Sequence, residues 1–89
     1  MVSLNMFVVV GAFVTMTDVD LFLKVTDKDG HKFDLRIYVP PTFAPTLKSH
    51  LKDGCIVAVK GHFDAFPESN NPHLTAQKVT FLSSGEEVE

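Results

Sequence analysis

Between Val19 and Val39 the chain alternates apolar and polar residues in two runs, separated by Asp27-Lys-Asp-Gly30 and stopped by Pro40-Pro41. A period of two belongs to a strand with one wet face, whereas a helix repeats its apolar residues every three or four positions. In the first run Val19, Leu21, Leu23 and Val25 share one face and Asp20, Phe22, Lys24 and Thr26 the other. In the second, Phe33, Leu35, Ile37 and Val39 point inward while Lys32, Asp34, Arg36 and Tyr38 point outward. Asp29-Gly30 suits a tight hairpin. The two prolines lack amide donors and fix the backbone, so the second strand ends there. A lone hairpin is at best marginal in water, so the remaining residues must cover its apolar side.

The flanking segments offer strands for that purpose. Asn5 to Thr15 is almost wholly apolar, rich in β-branched and aromatic residues, and reads as one long strand buried on much of both sides. Gly11 marks a bulge or coil that lets such a strand pair in two halves. The segment is too short for a bilayer and carries Asn5 and Gly11 within it, so no membrane span is expected. Thr42 to Leu51 reads as a short helix with Phe43, Leu47 and Leu51 on one side, closed by Asp53-Gly54. Cys55 to Phe66 returns to strand character with Val57, Val59 and Phe63 as core and Gly61 as a second bend. A polar turn-rich loop, 66–72, leads to a closing strand, His73 to Leu82, with Leu74, Ala76, Val79 and Phe81 as its apolar members. Its parity changes between Ala76 and Val79, which implies an irregularity. From Ser83 onward the residues read as a mobile acidic tail. The expected architecture is all-β: a five-stranded Greek-key oligonucleotide-binding (OB) barrel with one short helix between strands 3 and 4. Residues 1–83 form the domain and 84–89 the tail.

With 89 residues the chain makes one domain near the size at which a core needs help, so association is expected. Eight Phe and 45% hydrophobic residues supply that core. The single Cys55 cannot form an intrachain disulfide, and a cytoplasmic or nucleoid-associated protein is expected. The net charge of −3 argues against a strongly cationic nucleic-acid binder. Three of the eleven acidic residues, Glu86, Glu87 and Glu89, stand in the last four positions, which leaves eight against eight Lys and Arg. No catalytic, metal or cofactor site is expected. His31, His50, His62 and His73 lack companions at zinc-ligand spacing, and no phosphate-cradling glycine motif is present.

Three passages, Phe7-Val-Val-Val-Gly-Ala-Phe-Val14, Leu51-Lys-Asp-Gly-Cys-Ile-Val-Ala-Val-Lys-Gly-His62 and Leu74-Thr-Ala-Gln-Lys-Val-Thr-Phe-Leu82, resemble the bacterial single-stranded DNA-binding protein (SSB) family and its relative, the primosomal replication protein. The resemblance implies an OB domain that binds single-stranded DNA, as a homodimer or homotetramer, with replication or repair proteins as further partners. The sequence departs from the family in having no tryptophan and in closing on Glu86-Glu-Val-Glu89 rather than an apolar pair, so recruitment through such a tip is not carried over.

A sequence-tolerant single-strand binder needs exposed aromatics interleaved with cations, because bases offer flat apolar faces and phosphates a regular row of charge. Phe22 with Lys24, and Arg36 with Tyr38, give that pattern on the outward faces of strands two and three; the alternative is that the two rings pack under a loop or at a subunit interface. Lys32 and Lys60 extend the positive track or are ordinary solvated lysines. Phe66 is a third platform or an anchor for its loop. His62 and His73 flank the last hairpin and reach phosphate only when protonated. Asp20 and Asp34 share the face and oppose phosphate. They leave open a second reading, an OB barrel serving as an interaction or assembly subunit of a larger nucleic-acid-binding complex.

Overall fold

A computed structural model describes residues 5–65 and 72–89 of the protein. Its elements run β1 (Phe7–Met16), β2 (Asp20–Thr26), β3 (Lys32–Tyr38), α1 (Ala44–His50), β4 (Ile56–Ala65), β5 (Pro72–Phe81) and β6 (Glu87–Val88). The strands follow the order β3-β2-β1-β4-β5-β6, and a parallel bridge between Tyr38 and Thr75 joins β3 to β5. That bridge closes β1-β2-β3-β5-β4 into the five-stranded OB barrel, with α1 between β3 and β4.

β1 serves two neighbours in turn. Phe7 to Ala12 pair with β4 and Ala12 to Met16 with β2, with a bulge at Val14 where the register with β2 shifts. Gly11 stands at the handover: a Cβ there would lie 2.8 Å from the Lys24 carbonyl oxygen. At the hairpin, Gly30 takes φ +86°, and the Asp27 carboxylate accepts the amides of Asp29 and His31, so the turn residues act as their types suggest. The parity change in β5 is a second bulge, because Lys60 faces Lys78 while Gly61 faces Ala76, leaving Gln77 as the extra residue.

Leu21, Leu23, Ile37, Val39, Val57, Val59 and Val79 are fully buried inside the barrel, and Leu47 from α1 is fully buried with them. The helix is shorter than the apolar spacing predicts. It begins after Phe43, with Pro45 in its first turn, and Leu51 caps it in extended conformation. Two residues expected in the core are not there. Phe33 is 42% exposed, since it lies near the tip of the β2–β3 hairpin, past the reach of the strands across the barrel. Phe63 is 39% exposed and stacks obliquely on Phe7, ring centres 5.3 Å apart, while the Asn5 amide bonds both its N–H and its carbonyl.

The last residues also differ from the mobile tail that their charge suggests. The chain turns back after Phe81, and Glu87 and Val88 pair with Thr80 and Val79 as β6. Val88 is buried against the core. A valine among glutamates gives one apolar anchor, and the free edge of β5 gives it backbone partners.

Candidate nucleic-acid interface

The outward face of the β2–β3 hairpin follows from strict alternation and its register. Asp20 stands opposite Tyr38, Phe22 opposite Arg36, Lys24 opposite Asp34, and Thr26 opposite Lys32. Directly opposed Cβ atoms are about 5 Å apart and diagonal ones about 7–8 Å, so Phe22, Arg36 and Tyr38 form one contiguous platform. Both rings are half-buried.

Two of the three cations of this face are held by its carboxylates. Lys24 pairs with Asp34, and the Arg36 Nε–H donates to Asp20 Oδ1 at 3.0 Å. Such exposed pairs contribute about 0–1 kcal/mol. They set the positions of the charged groups more than they stabilise the barrel. Three cations, Lys24, Lys32 and Arg36, meet two carboxylates, Asp20 and Asp34, so the face is close to neutral.

The platform continues across the barrel seam. Thr75 stands beside Tyr38 and opposite His62, and His73 opposite Asp64. A concavity of about 300 Å³ opens here, lined by Val19, Asp20, Arg36, Tyr38 and His73. Beside it, Asp64 Oδ2 accepts the Thr75 hydroxyl at 2.7 Å and lies 3.0 Å from His62 Nε2, so His62 is engaged by a carboxylate. Of the two histidines flanking the hairpin, His73 lines the concavity. Lys32 lies at the exposed tip of β3. Lys60 stands opposite Val8 and Lys78, on the β1–β4–β5 side of the barrel, and is not brought together with Phe22 and Tyr38. Phe66 and most of the loop around it lie outside the described residues.

The outer side of β1 and β4 carries what the sequence reading missed. Val8 is 67% exposed and Val10 52%; Val14, Ile56 and Leu82 are also exposed, and Val10 and Ala12 face Ala58 and Ile56 across the sheet. An apolar run read as buried on both sides is buried on one side only. The signal was the missing polar partner in β1, which fits an interface between chains as well as a doubly covered strand. At the edge of this region Lys78 pairs with Glu87 at 2.8 Å. The hydrogen bond and charge of each raise the Lys78 pKa and lower that of Glu87.

Among the described residues, one group of His, Cys, Asp and Glu comes close enough to share a cation: Asp27, Asp29 and His31, all exposed in the hairpin turn. The Asp27 carboxylate is already taken up in turning the backbone. No described helix is long and apolar enough to cross a membrane.

Two solved structures share this architecture. The mitochondrial single-stranded DNA-binding protein Rim1 of S. cerevisiae superposes with a TM-score of 0.69 at 16% identity, over 91% of this chain and 97% of that one. The N-terminal domain of the PriB protein from Thermoanaerobacter tencongensis, a dimeric structure, gives 0.61 at 16% identity, over 86% of this chain and 94% of that one. At this identity the likeness is one of fold. No protein-family model matches the chain, and no curated protein matches it in sequence.

Proposed function

We propose that the protein binds single-stranded DNA on the outer face of β2 and β3, without chemistry of its own, in replication, repair or recombination. Bases stack on Phe22 and Tyr38, and Lys24, Arg36 and Lys32 meet the phosphates. The observation that carries this reading is the cross-strand register, which sets Phe22 directly opposite Arg36 with Tyr38 on the diagonal. An aromatic–guanidinium–aromatic row on an open sheet matches what unpaired bases require. The names of the two fold neighbours, a single-stranded DNA-binding protein and PriB, agree with it.

A second copy of the chain covers the apolar β1–β4 face in this reading, giving a homodimer or homotetramer. Exposed Val8, Val10, Ile56 and Leu82 support it, as does the dimeric state of the PriB neighbour. Lys60 belongs to this face rather than to the DNA track. Assembly and DNA binding then use different sides of one barrel. Replication or repair proteins are its further partners, and the compartment is the cytoplasm or nucleoid.

Fluorescence anisotropy with labelled oligo-dT across a salt series tests the DNA reading. With three cations on the face, log affinity should fall against log salt with a slope of about −2, at about −0.7 per phosphate contact for single strands. Phe22→Ala and Tyr38→Ala should each cost about 1–3 kcal/mol. Absence of binding by the wild-type protein at low salt and high micromolar concentration would remove DNA from the account.

A further inference from the structure

We infer that the concavity beside Tyr38 is a base slot that selects guanine within a bound single strand. The inference rests on the single-strand reading above and adds base preference to it.

Of the two carboxylates on this face, Asp34 pairs with Lys24 and only Asp20 lines the concavity. A carboxylate opposes phosphate and can only accept hydrogen bonds, so on a nucleic-acid face its useful partners are N–H groups of the bases. It is also well placed. Its side chain is 21% exposed, its backbone is fixed by the Thr17 turn (Asp20 N to Thr17 Oγ1 3.2 Å, Thr17 N to Asp20 O 2.9 Å), and the Arg36 Nε–H orients its Oδ1. Each carboxylate oxygen has two lone pairs, so the Arg36 bond leaves acceptor capacity on both.

Asp20 faces Tyr38 directly in the register, and both side chains point outward into the same concavity. A base lying on the Tyr38 ring therefore brings one edge to the Asp20 carboxylate. Unpaired bases are read in this way, on their Watson–Crick and Hoogsteen edges while stacked on aromatic rings. Guanine alone presents two adjacent donors on one edge, N1–H and the exocyclic N2 amine, which match the two oxygens of a carboxylate. Adenine and cytosine present one amine beside a ring-nitrogen acceptor that a carboxylate repels, and thymine presents one N–H between two carbonyl oxygens. The guanidinium of Arg36, 61% exposed and two residues before Tyr38 on the same face of β3, supplies donors suited to guanine O6 and N7 or to the neighbouring phosphate. At about 300 Å³ the concavity holds one base, so the preference belongs to a single position of the strand.

Anisotropy with three oligonucleotides decides the matter: oligo-dT, oligo-dT with one central deoxyguanosine, and the same with deoxyinosine, which lacks the N2 amine. The guanine oligonucleotide should bind about tenfold more tightly than oligo-dT, and the inosine one should fall most of the way back. Asp20→Asn should collapse the guanine-to-thymine ratio to near one. Equal wild-type affinities for all three, with oligo-dT clearly bound, would overturn the slot and leave the single-strand reading standing. A guanine preference that survives Asp20→Asn, or that inosine fully retains, would likewise overturn the role given to Asp20. If none of the three bound, the slot and the single-strand reading would fall together.

Discussion

Replacing Gly61 with alanine tests the tightest contact in the barrel. A Cβ on Gly61 would lie 2.0 Å from the Thr75 carbonyl oxygen and 2.9 Å from the Phe7 ring, far inside the 3.4–4 Å of ordinary contact. The ring can swing away, but the carbonyl is backbone of β5, and relief requires moving that strand. Thr75 is also the residue through which β5 meets Tyr38 of β3, so a shift there loosens the seam that closes the barrel. Overpacking of this kind costs about 1–3 kcal/mol, and a backbone obstacle puts the case at the upper end. Loss of unfolded-state freedom on going from Gly to Ala returns about 0.4–1 kcal/mol. A net loss of about 2 kcal/mol should lower the melting temperature by about 8–16 °C in a domain of this size. Thermal and urea unfolding of Gly61→Ala beside Gly11→Ala, whose Cβ would meet a carbonyl at 2.8 Å, should show the larger loss at Gly61. A Gly61→Ala protein that melts within a degree or two of wild type would refute the close-approach argument.

The other expectations concern the tail and the apolar face. Val88→Ala should lower stability by about 1–2 kcal/mol in urea unfolding, because its side chain packs on the core; no change would mean that β6 contributes nothing. The Glu87 carboxyl is held below its usual pKa by Lys78, so what this pair adds to β6 is present above the ordinary glutamate range and lost as pH falls through the depressed value. The Lys78 ammonium is raised, so its share is present below the ordinary lysine range and lost as pH rises through the raised value. Protection of the Val88 amide, its exchange rate relative to the intrinsic rate at the same pH, should therefore be greatest between those limits, and Lys78→Gln should flatten that profile. Val10→Lys should leave the barrel folded, since this side chain is 52% exposed, and should shift the protein to monomer in sedimentation; an unchanged assembly would move the interface elsewhere.

The sequence carried the hairpin almost whole. Alternation from Val19 to Val39 set the faces of Phe22, Lys24, Arg36 and Tyr38, and the structure keeps that pairing. Local period and turn chemistry decide such features. What alternation could not supply was how far the barrel reaches along each strand. Phe33 and Phe63 have core parity, yet both sit near strand ends and stay 42% and 39% exposed. Apolar character in β1 likewise gave no means of telling a strand covered by its own chain from one left for a partner. Gly61, read as a bend, stands at the register shift between β4 and β5 and is also a point of close approach, a feature that depends on Thr75, far along the sequence. The acidic tail misled because its charge outweighed one valine in composition but not in packing. Asp20 and Lys60 were legible as outward residues, but their neighbours across strands, Arg36 in one case and Val8 in the other, needed the register.

The central claim is that nucleic acid meets β2 and β3 and not the apolar side of the barrel. Titrating oligo-dT into isotope-labelled protein and following backbone amide shifts tests this residue by residue. The account expects the largest changes at Phe22, Lys24, Arg36, Tyr38 and His73, with Val8, Val10 and Ile56 unmoved. Changes concentrated on Val8, Val10 and Ile56, or none at all at saturating oligo-dT, would contradict it.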